Sequence, residues 1–118
     1  MKNPPMLSKD YVALPNQQVL LTLVIGNAQL GASAVWIDEN FHSKKLAYTR
    51  EPIGPGSNLN GREVRVKTIV TDVNSFSNKM TVSYTLEGGS APLSCSIPWE
   101  VEADGDSGVF KAIFTIKT

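Results

Sequence analysis

The stretch Arg62–Gly89, REVRVKTIVTDVNSFSNKMTVSYTLEGG, decides the fold class of this chain. In its second half, apolar Met80, Val82, Tyr84 and Leu86 alternate with polar Lys79, Thr81, Ser83, Thr85 and Glu87. This period of two is typical of a β-strand with one buried face and one face in water. The polar segment Asn74–Asn78 separates it from an earlier strand, so we expect a five-residue hairpin connection there.

The rest of the chain repeats this pattern of strands and turns. Gln17–Ile25 is largely apolar on both parities, which predicts a central strand or one covered on both faces. Further strands are predicted at Tyr11–Leu14, Ala32–Asp38, Lys44–Thr49, Arg62–Asn74, Leu93–Val101 and Val109–Lys117. The apolar parity changes within Arg62–Asn74, so we expect either a β-bulge near Thr68 or a strand that crosses between sheets.

The number of strands and the length of the chain together predict the architecture. About eight strands with short turns and no helical periodicity predict an all-β, two-sheet antiparallel β-sandwich of immunoglobulin-like architecture. The length of 118 residues suits a single domain. We expect residues 1–10 to be a flexible N-terminal arm and residues 11–118 to form one β-sandwich domain.

Charge is balanced over the whole chain but unevenly placed along it. Eleven Lys and Arg residues balance eleven Asp and Glu residues. Residues 42–67 contain six cations and two anions, whereas residues 84–108 contain five anions and no cation. This indicates either a dipolar surface that orients a partner or a second copy, or charges that interleave on folding. The zero net charge argues against a nucleic-acid partner and an anionic membrane.

Catalytic and cofactor chemistry finds little support in the sequence. His42 is the single histidine, and no nucleophile-elbow motif surrounds a serine, so we predict a non-enzymatic protein without catalytic residues. No His or Cys lies at ligand spacing from His42, so we predict neither a metal nor a cofactor. Gly54-Pro55-Gly56 is not expected to cradle phosphate, because proline removes an amide donor. Strand parity places Cys95 inward as a small hydrophobic residue.

The turn Asp104-Gly105-Asp106-Ser107 leaves two interpretations open. Carboxylates two residues apart in a glycine-rich turn can share a calcium ion. Asp-Gly is also a common sequence of tight hairpin turns, because glycine tolerates a positive φ. We favour the turn, and the sequence does not decide whether Asp104 and Asp106 bind calcium.

Aromatic side chains suggest the alternative function, a carbohydrate-binding module. Parity places Tyr84 and Trp99 in the core, whereas Trp36 near a strand end and Tyr48 before a Pro/Gly-rich segment are expected to be exposed. Such a pair could stack against sugar rings. A basic stripe of Arg65 and Lys67 lacks interleaved aromatic residues, which argues further against nucleic acid.

The leading hypothesis is a module for protein–protein interaction or structural assembly. Glu51–Asn58 contains two prolines and two glycines, which predicts the longest loop of the chain. A proline-stiffened loop loses little entropy on binding, so Arg50–Asn60, together with an edge strand, is expected to contact a protein partner or a second copy. The candidate contact residues are Trp36, Tyr48, Arg50, Pro52, Ile53, Pro55 and Asn58.

The N-terminal residues carry no apolar run of the kind that secretory signals have. The longest apolar stretch, Val19–Ile25, is too short to span a bilayer, so we expect no membrane partner. A cytoplasmic protein is the default expectation, and secretion is left open.

Overall fold

The computed structural model describes residues 3–118, which form two β-sheets packed face to face. Nine strands and one short helix make up the fold: β1 Leu7–Val12, β2 Gln18–Ile25, β3 Leu30–Ile37, β4 Asn40–Lys45, β5 Tyr48–Pro55, α1 Gly56–Leu59, β6 Glu63–Thr71, β7 Lys79–Glu87, β8 Leu93–Glu100 and β9 Ser107–Lys117. The predicted all-β sandwich is therefore confirmed, with nine strands where the sequence indicated about eight.

The two sheets differ in strand number and in how the chain runs through them. The five-stranded sheet has the order β1-β9-β6-β3-β4, and the four-stranded sheet has the order β5-β2-β7-β8. All neighbouring strands are antiparallel except β1 and β9, which run parallel. Only β3–β4 and β7–β8 are consecutive strands of one sheet, so most connections carry the chain from one sheet to the other.

The core lies between the sheets and follows the predicted alternation. Met80, Val82, Tyr84 and Leu86 of β7 are all buried, as are Phe110, Ala112, Phe114 and Ile116 of β9. The rings of Tyr84 and Phe114 meet edge to face with centroids 5.7 Å apart across the interface between the sheets. Inward side chains of both sheets therefore form one continuous core.

The parity change predicted for β6 has a simpler cause than a bulge. Val64, Val66, Thr68 and Val70 all face the core, and the pairing of β6 with both of its neighbours is continuous. Thr68 is fully buried because its hydroxyl shares a 2.7 Å hydrogen bond with the hydroxyl of Ser33. The predicted bulge and the alternative of a strand crossing between sheets are both wrong, since β6 stays in the five-stranded sheet and a hydrogen-bonded threonine occupies an inward position.

The predicted hairpin at Asn74–Asn78 is also wrong. Strand β6 belongs to the five-stranded sheet and β7 to the four-stranded sheet, so the segment between them crosses the sandwich instead of joining paired strands. Polar turn residues are equally suited to both kinds of connection, which is why the sequence pattern did not separate them.

The N-terminal residues are more ordered than the expected arm. Strand β1 begins at Leu7 and lies parallel to β9, from the pair Leu7–Ala112 to the pair Val12–Lys117. Tyr11 is buried, and its hydroxyl donates to the carbonyl oxygen of Ala91 at 3.2 Å. The domain therefore includes residues 7–10, and Met1 and Lys2 lie outside the described residues.

The predicted long loop is mostly strand. Residues 48–55 form β5, the edge strand of the four-stranded sheet, and residues 56–59 form α1. The prolines are tolerated because β5 pairs on one side only, with register shifts along its length. Arg50, with a φ of 45°, lies at one of these irregularities, and its amide donates to the Thr22 hydroxyl at 3.1 Å.

Candidate functional site

An apolar groove lies where β4 ends and β5 begins, because neither edge strand covers the full length of its neighbour there. Strand β4 ends at Lys45, which pairs with Ser33, so β3 has no outer neighbour at Leu30–Ala32. Strand β5 begins at Tyr48, which pairs with Leu23, so the end of β2 is equally uncovered. The chain passes between these strands through Leu46 and Ala47 alone. We call the resulting depression, of about 770 Å³, the edge groove.

The edge groove concentrates the exposed apolar side chains of the molecule. Its lining includes Leu23, Val24, Ile25, Gln29, Leu30, Gly31, Ala32, Leu46, Ala47, Tyr48, Thr49, Ile69, Thr71 and Val73. Ten large hydrophobic residues in the described part of the chain are exposed, and five of them lie in this lining: Val24, Leu30, Leu46, Ile69 and Val73. Single exposed hydrophobic residues are ordinary, but a cluster of this kind marks an interaction surface.

The floor of the edge groove is closely packed around a glycine. Gly31 faces the interior of the sandwich, and a Cβ there would lie 2.8 Å from Ile25 Cδ1 and 2.5 Å from the carbonyl oxygen of Ile69. Only glycine allows β3 to lie this close to β6 while Ile25 of the opposite sheet packs over it. Close packing at Gly31 therefore fixes the shape of the groove floor.

A turn beside the edge groove presents the most exposed hydrophobic side chain of the described residues. Phe76, in the connection from β6 to β7, is 96% exposed. Asn74 fixes the turn: its Oδ1 accepts from the Phe76 amide at 3.0 Å, and its carbonyl oxygen accepts from the Ser77 amide at 3.2 Å. Its Nδ2 donates to the carbonyl oxygen of Asn27 at 2.9 Å, which ties the turn to the β2–β3 connection. We call residues 74–78 the Phe76 turn.

The buried side chain of Gln29 connects the edge groove to the Phe76 turn. Its side chain is almost fully buried and forms five hydrogen bonds. Nε2 donates to Asp72 Oδ1 at 2.8 Å and to the carbonyl oxygens of Ser77 and Lys79, and Oε1 accepts from the amides of Val73 and Asn74. One side chain of the groove lining thus fixes both ends of the connection that carries Phe76, so the turn is preorganised.

Asp72 is buried in this network beside the turn that the sequence left open for calcium. The side-chain nitrogen of Asn78, oriented toward two carboxylates, donates to Asp72 Oδ2 and to Asp104 Oδ1, each at 2.8 Å. Asp106 Oδ2 accepts from the amide of Ala103 at 3.2 Å. Gly105 has a φ of 84°, as expected for a tight turn. Among residues 3–118, no group of three or more His, Cys, Asp or Glu side chains is arranged to hold a metal ion.

The predicted aromatic pair does not form. Tyr48 is only 1% exposed and its hydroxyl is hydrogen-bonded to Ser43 Oγ at 2.9 Å, so the expectation that it is exposed was wrong. Strand pairing turns Tyr48 inward beside Leu23, whereas the sequence placed it at the mouth of a loop. Trp36 is half-buried on the outer face of the five-stranded sheet, where its ring meets Phe41 edge to face at 6.1 Å.

The other predicted contact residues are divided between surface and core. Ile53 is 5% exposed and belongs to the core, which corrects its assignment as a contact residue. Arg50 is exposed but forms a 3.2 Å ion pair with Glu87, and Pro52 lies on the outer surface of β5. Pro55 and Asn58 line a shallow, largely polar depression beside α1. The depression beside α1 brings Ile53, Pro55 and Asn58 together, whereas the other predicted contact residues are dispersed, and all except Tyr48 lie outside the edge groove.

His42 and Cys95 both lack the neighbouring groups that would activate a general base or a nucleophile. His42 is exposed, and its Nδ1 lies 2.9 Å from the hydroxyl of the adjacent Ser43. Cys95 is half-buried against the core, as its parity predicted, and burial raises the pKa of its thiol, which reduces the thiolate fraction at neutral pH.

The residues of the edge groove were missed because their signal is indirect. An isolated phenylalanine inside the polar run Asn74–Asn78 was visible in the sequence and could have indicated a presented side chain. The exposure of Leu30 and Leu46 depends on where β4 and β5 end, and no local pattern determines that.

Comparison of the chain with protein-family models, with curated proteins and with solved structures found no match. Within residues 3–118, no helix has the length and apolar character needed to cross a membrane.

Proposed function

We propose that this protein is a non-enzymatic assembly module that forms a two-fold dimer, in which Phe76 of each copy packs into the edge groove of the other. The observation that carries this proposal is the coincidence of five exposed hydrophobic residues in one groove with a 96% exposed phenylalanine on a fixed turn beside it. An immunoglobulin-like arrangement of the strands stays a prediction beyond the two-sheet sandwich.

A second copy suits the groove because knob and groove occur on the same molecule. Thr71 and Val73 line the edge groove and lead directly into the Phe76 turn, so both features lie at the same end of the sandwich. A two-fold axis passing between two such ends makes both contacts at once, which is the self-complementary geometry of most homodimers. The zero net charge adds no overall repulsion between copies.

Pairing between sheet edges is a poorer route to assembly, because each edge strand carries a feature that disfavours it. Strand β5 contains Pro52 and Pro55, and β8 contains Pro98. Strand β4 has an irregular register and carries Lys44 and Lys45, and β1 carries an exposed lysine, Lys9. Such residues commonly protect edges from strand addition. Side chains in the groove are therefore the better contact.

Sedimentation equilibrium over a range of concentrations tests the proposal. We expect a monomer–dimer equilibrium that Phe76→Ser and Leu46→Asp each weaken by roughly 30-fold in Kd, the effect of losing about 2 kcal/mol at an interface hot spot. Phe41→Ser and Val12→Asp are matched controls, because both residues are 62% exposed and lie outside the groove lining. A wild-type protein that stays monomeric at all concentrations contradicts the proposal.

Mixing the two weakened variants distinguishes the reciprocal contact of Phe76 with the edge groove from nonspecific hydrophobic association. Phe76→Ser keeps an intact groove and Leu46→Asp keeps an intact knob, so a mixed pair restores one of the two contacts. We expect the mixture to dimerise more strongly than either variant alone. Equal behaviour of the mixture and the separate variants would exclude the reciprocal knob-and-groove contact.

A further inference from the structure

Three lysines form a row across the outer face of the five-stranded sheet, next to Ala32 and Ile69 of the edge groove. Lys44 of β4 and Lys67 of β6 both pair with Ala34 of β3, and Lys67 pairs in turn with Lys111 of β9. All three lysines are exposed, and the small side chain between them leaves the face open. Neighbouring strands lie about 4.8 Å apart, so Lys67 and Lys111 are close neighbours. We call Lys44, Lys67 and Lys111 the lysine row.

The lysine row carries charge that the fold does not neutralise. The five ion pairs among residues 3–118 use other cations: Lys45, Arg50, Arg62, Arg65 and Lys117. Like charges placed directly opposite each other on paired strands destabilise a sheet. A local cost of this kind, without a compensating contact, is typical of positions kept for binding.

An aromatic row runs parallel to the lysine row, two residues further along the strands. Trp36 pairs with Phe41 on one side and with Arg65 on the other. Phe41 is 62% exposed, and Trp36 is half-buried beneath its edge. The Arg65 guanidinium is bound to Glu63, with Nη2 and Oε1 2.6 Å apart, so it is less available to a ligand than the lysines.

We propose that this face binds an anionic polysaccharide, with its carboxylate or sulfate groups on the lysine row and a sugar ring against Trp36 and Phe41. Lysine ammonium groups are flexible point charges, each able to pair with a separate carboxylate or sulfate group along a chain. A nucleic-acid strand is held by successive stacking platforms, whereas one aromatic pair is present among the described residues of this face, which suits a single sugar ring. Charge complementarity therefore selects a ligand with separated negative charges on a ring-shaped backbone.

Isothermal titration calorimetry with heparin and alginate as probes tests this assignment, with neutral dextran and oligo(dT) of similar length as comparisons. We expect Lys67→Ala and Lys111→Ala each to weaken binding of the charged polysaccharides by about tenfold and to lower the salt dependence of log K by about one per lysine. Lys79→Ala is the matched control, because Lys79 is exposed on the other sheet and forms no ion pair among the described residues. Both Lys→Ala variants remove a surface cation, so folding is expected to persist.

Three results would overturn the proposal. Binding of heparin and alginate that is unchanged in both lysine variants places the site elsewhere. Binding of oligo(dT) as tight as that of heparin at the same salt concentration makes this face a nucleic-acid surface. Absence of binding to both charged polysaccharides removes the site. Quenching of Trp36 fluorescence by the bound polysaccharide, lost in Trp36→Phe and kept in Trp99→Phe, supports the ring contact.

Discussion

Tyr84 is a large core residue whose hydroxyl is left without a hydrogen-bond partner. The ring is 1% exposed, and the hydroxyl has no partner with hydrogen-bond geometry within residues 3–118, since the nearby Thr68 hydroxyl is bonded to Ser33. Burial raises the pKa of the phenol more than the nearby Thr68 side chain lowers it. An unpaired buried hydroxyl costs free energy, while the ring contact with Phe114 does not need it. We therefore expect Tyr84→Phe to raise the free energy of unfolding by about 1 kcal/mol, measured by urea denaturation. A lower stability of the variant would show that the hydroxyl has a partner in solution.

Gln29 is the residue on which the Phe76 turn depends most. Removing its amide leaves the Val73 amide without its acceptor and takes one donor from buried Asp72, which keeps the Asn74 amide and Asn78 as partners. We expect Gln29→Ala to lower the free energy of unfolding by about 3 kcal/mol. Hydrogen exchange should become faster at residues 72–79 than in the core strands, because the loss is local. Asn74→Ala is the comparison: it removes the hydrogen bond to Phe76 but leaves Gln29 in place.

Strands differ in how well their sequence predicts them. Strands β7 and β9 bury one face and expose the other, so alternation alone identified their core residues. The prediction for β5 was wrong because proline normally marks a loop. Proline is acceptable in β5 because this edge strand pairs on one side only. The edge groove was not predicted for a related reason. Its position depends on where β4 ends along β3 and where β5 begins along β2.

The hairpin from β3 to β4 depends on a carboxylate at its turn. Asp38 has a φ of 53°, and its carboxylate accepts from the Glu63 amide at 2.9 Å and from Arg62 Nη1 at 3.2 Å. The hydrogen bond from the Glu63 amide, more than any other contact, lowers the pKa of Asp38. The ionised form is therefore favoured in the folded state relative to the unfolded chain.

The lowered pKa makes a pH-dependent contribution to stability at this element. Its stabilisation is present above the unfolded pKa of about 3.9 and is lost as the pH falls through the lower folded value. We expect Asp38→Asn to lower the urea midpoint at pH 7 and to show a smaller loss of stability on acidification below about pH 4. Asn tolerates the positive φ and keeps an acceptor, so the backbone is preserved. Asp10→Asn, at the exposed ion pair with Lys117, is the control.

At the scale of the whole molecule, the first and last strands of the described chain pair in one sheet. Strand β1 covers one side of β9, while β6 covers the other, so β9 is a central strand only when β1 is present. Alternation predicted β9 well, but nothing in the sequence indicated that residues 7–10 would lie beside it, because parallel pairing leaves no turn signal. Pairing between distant segments also predicts slow folding, in milliseconds to seconds.

Removing β1 should expose β9 as a long apolar edge. We expect a chain lacking residues 1–12 to unfold at lower urea concentration and to aggregate more readily than the full chain, because β9 contains Phe110, Phe114 and Ile116 and would have unpaired backbone groups along one side. Tyr11→Ala gives a milder form of the same loss, about 3 kcal/mol, since the buried ring fastens β1 to the rest of the core. Tyr11→Phe keeps that ring and removes only the hydrogen bond to Ala91, so its loss should be near 1 kcal/mol. Equal stability of the truncated and full chains, by urea denaturation and light scattering, would mean that β1 adds no net stability to the sandwich.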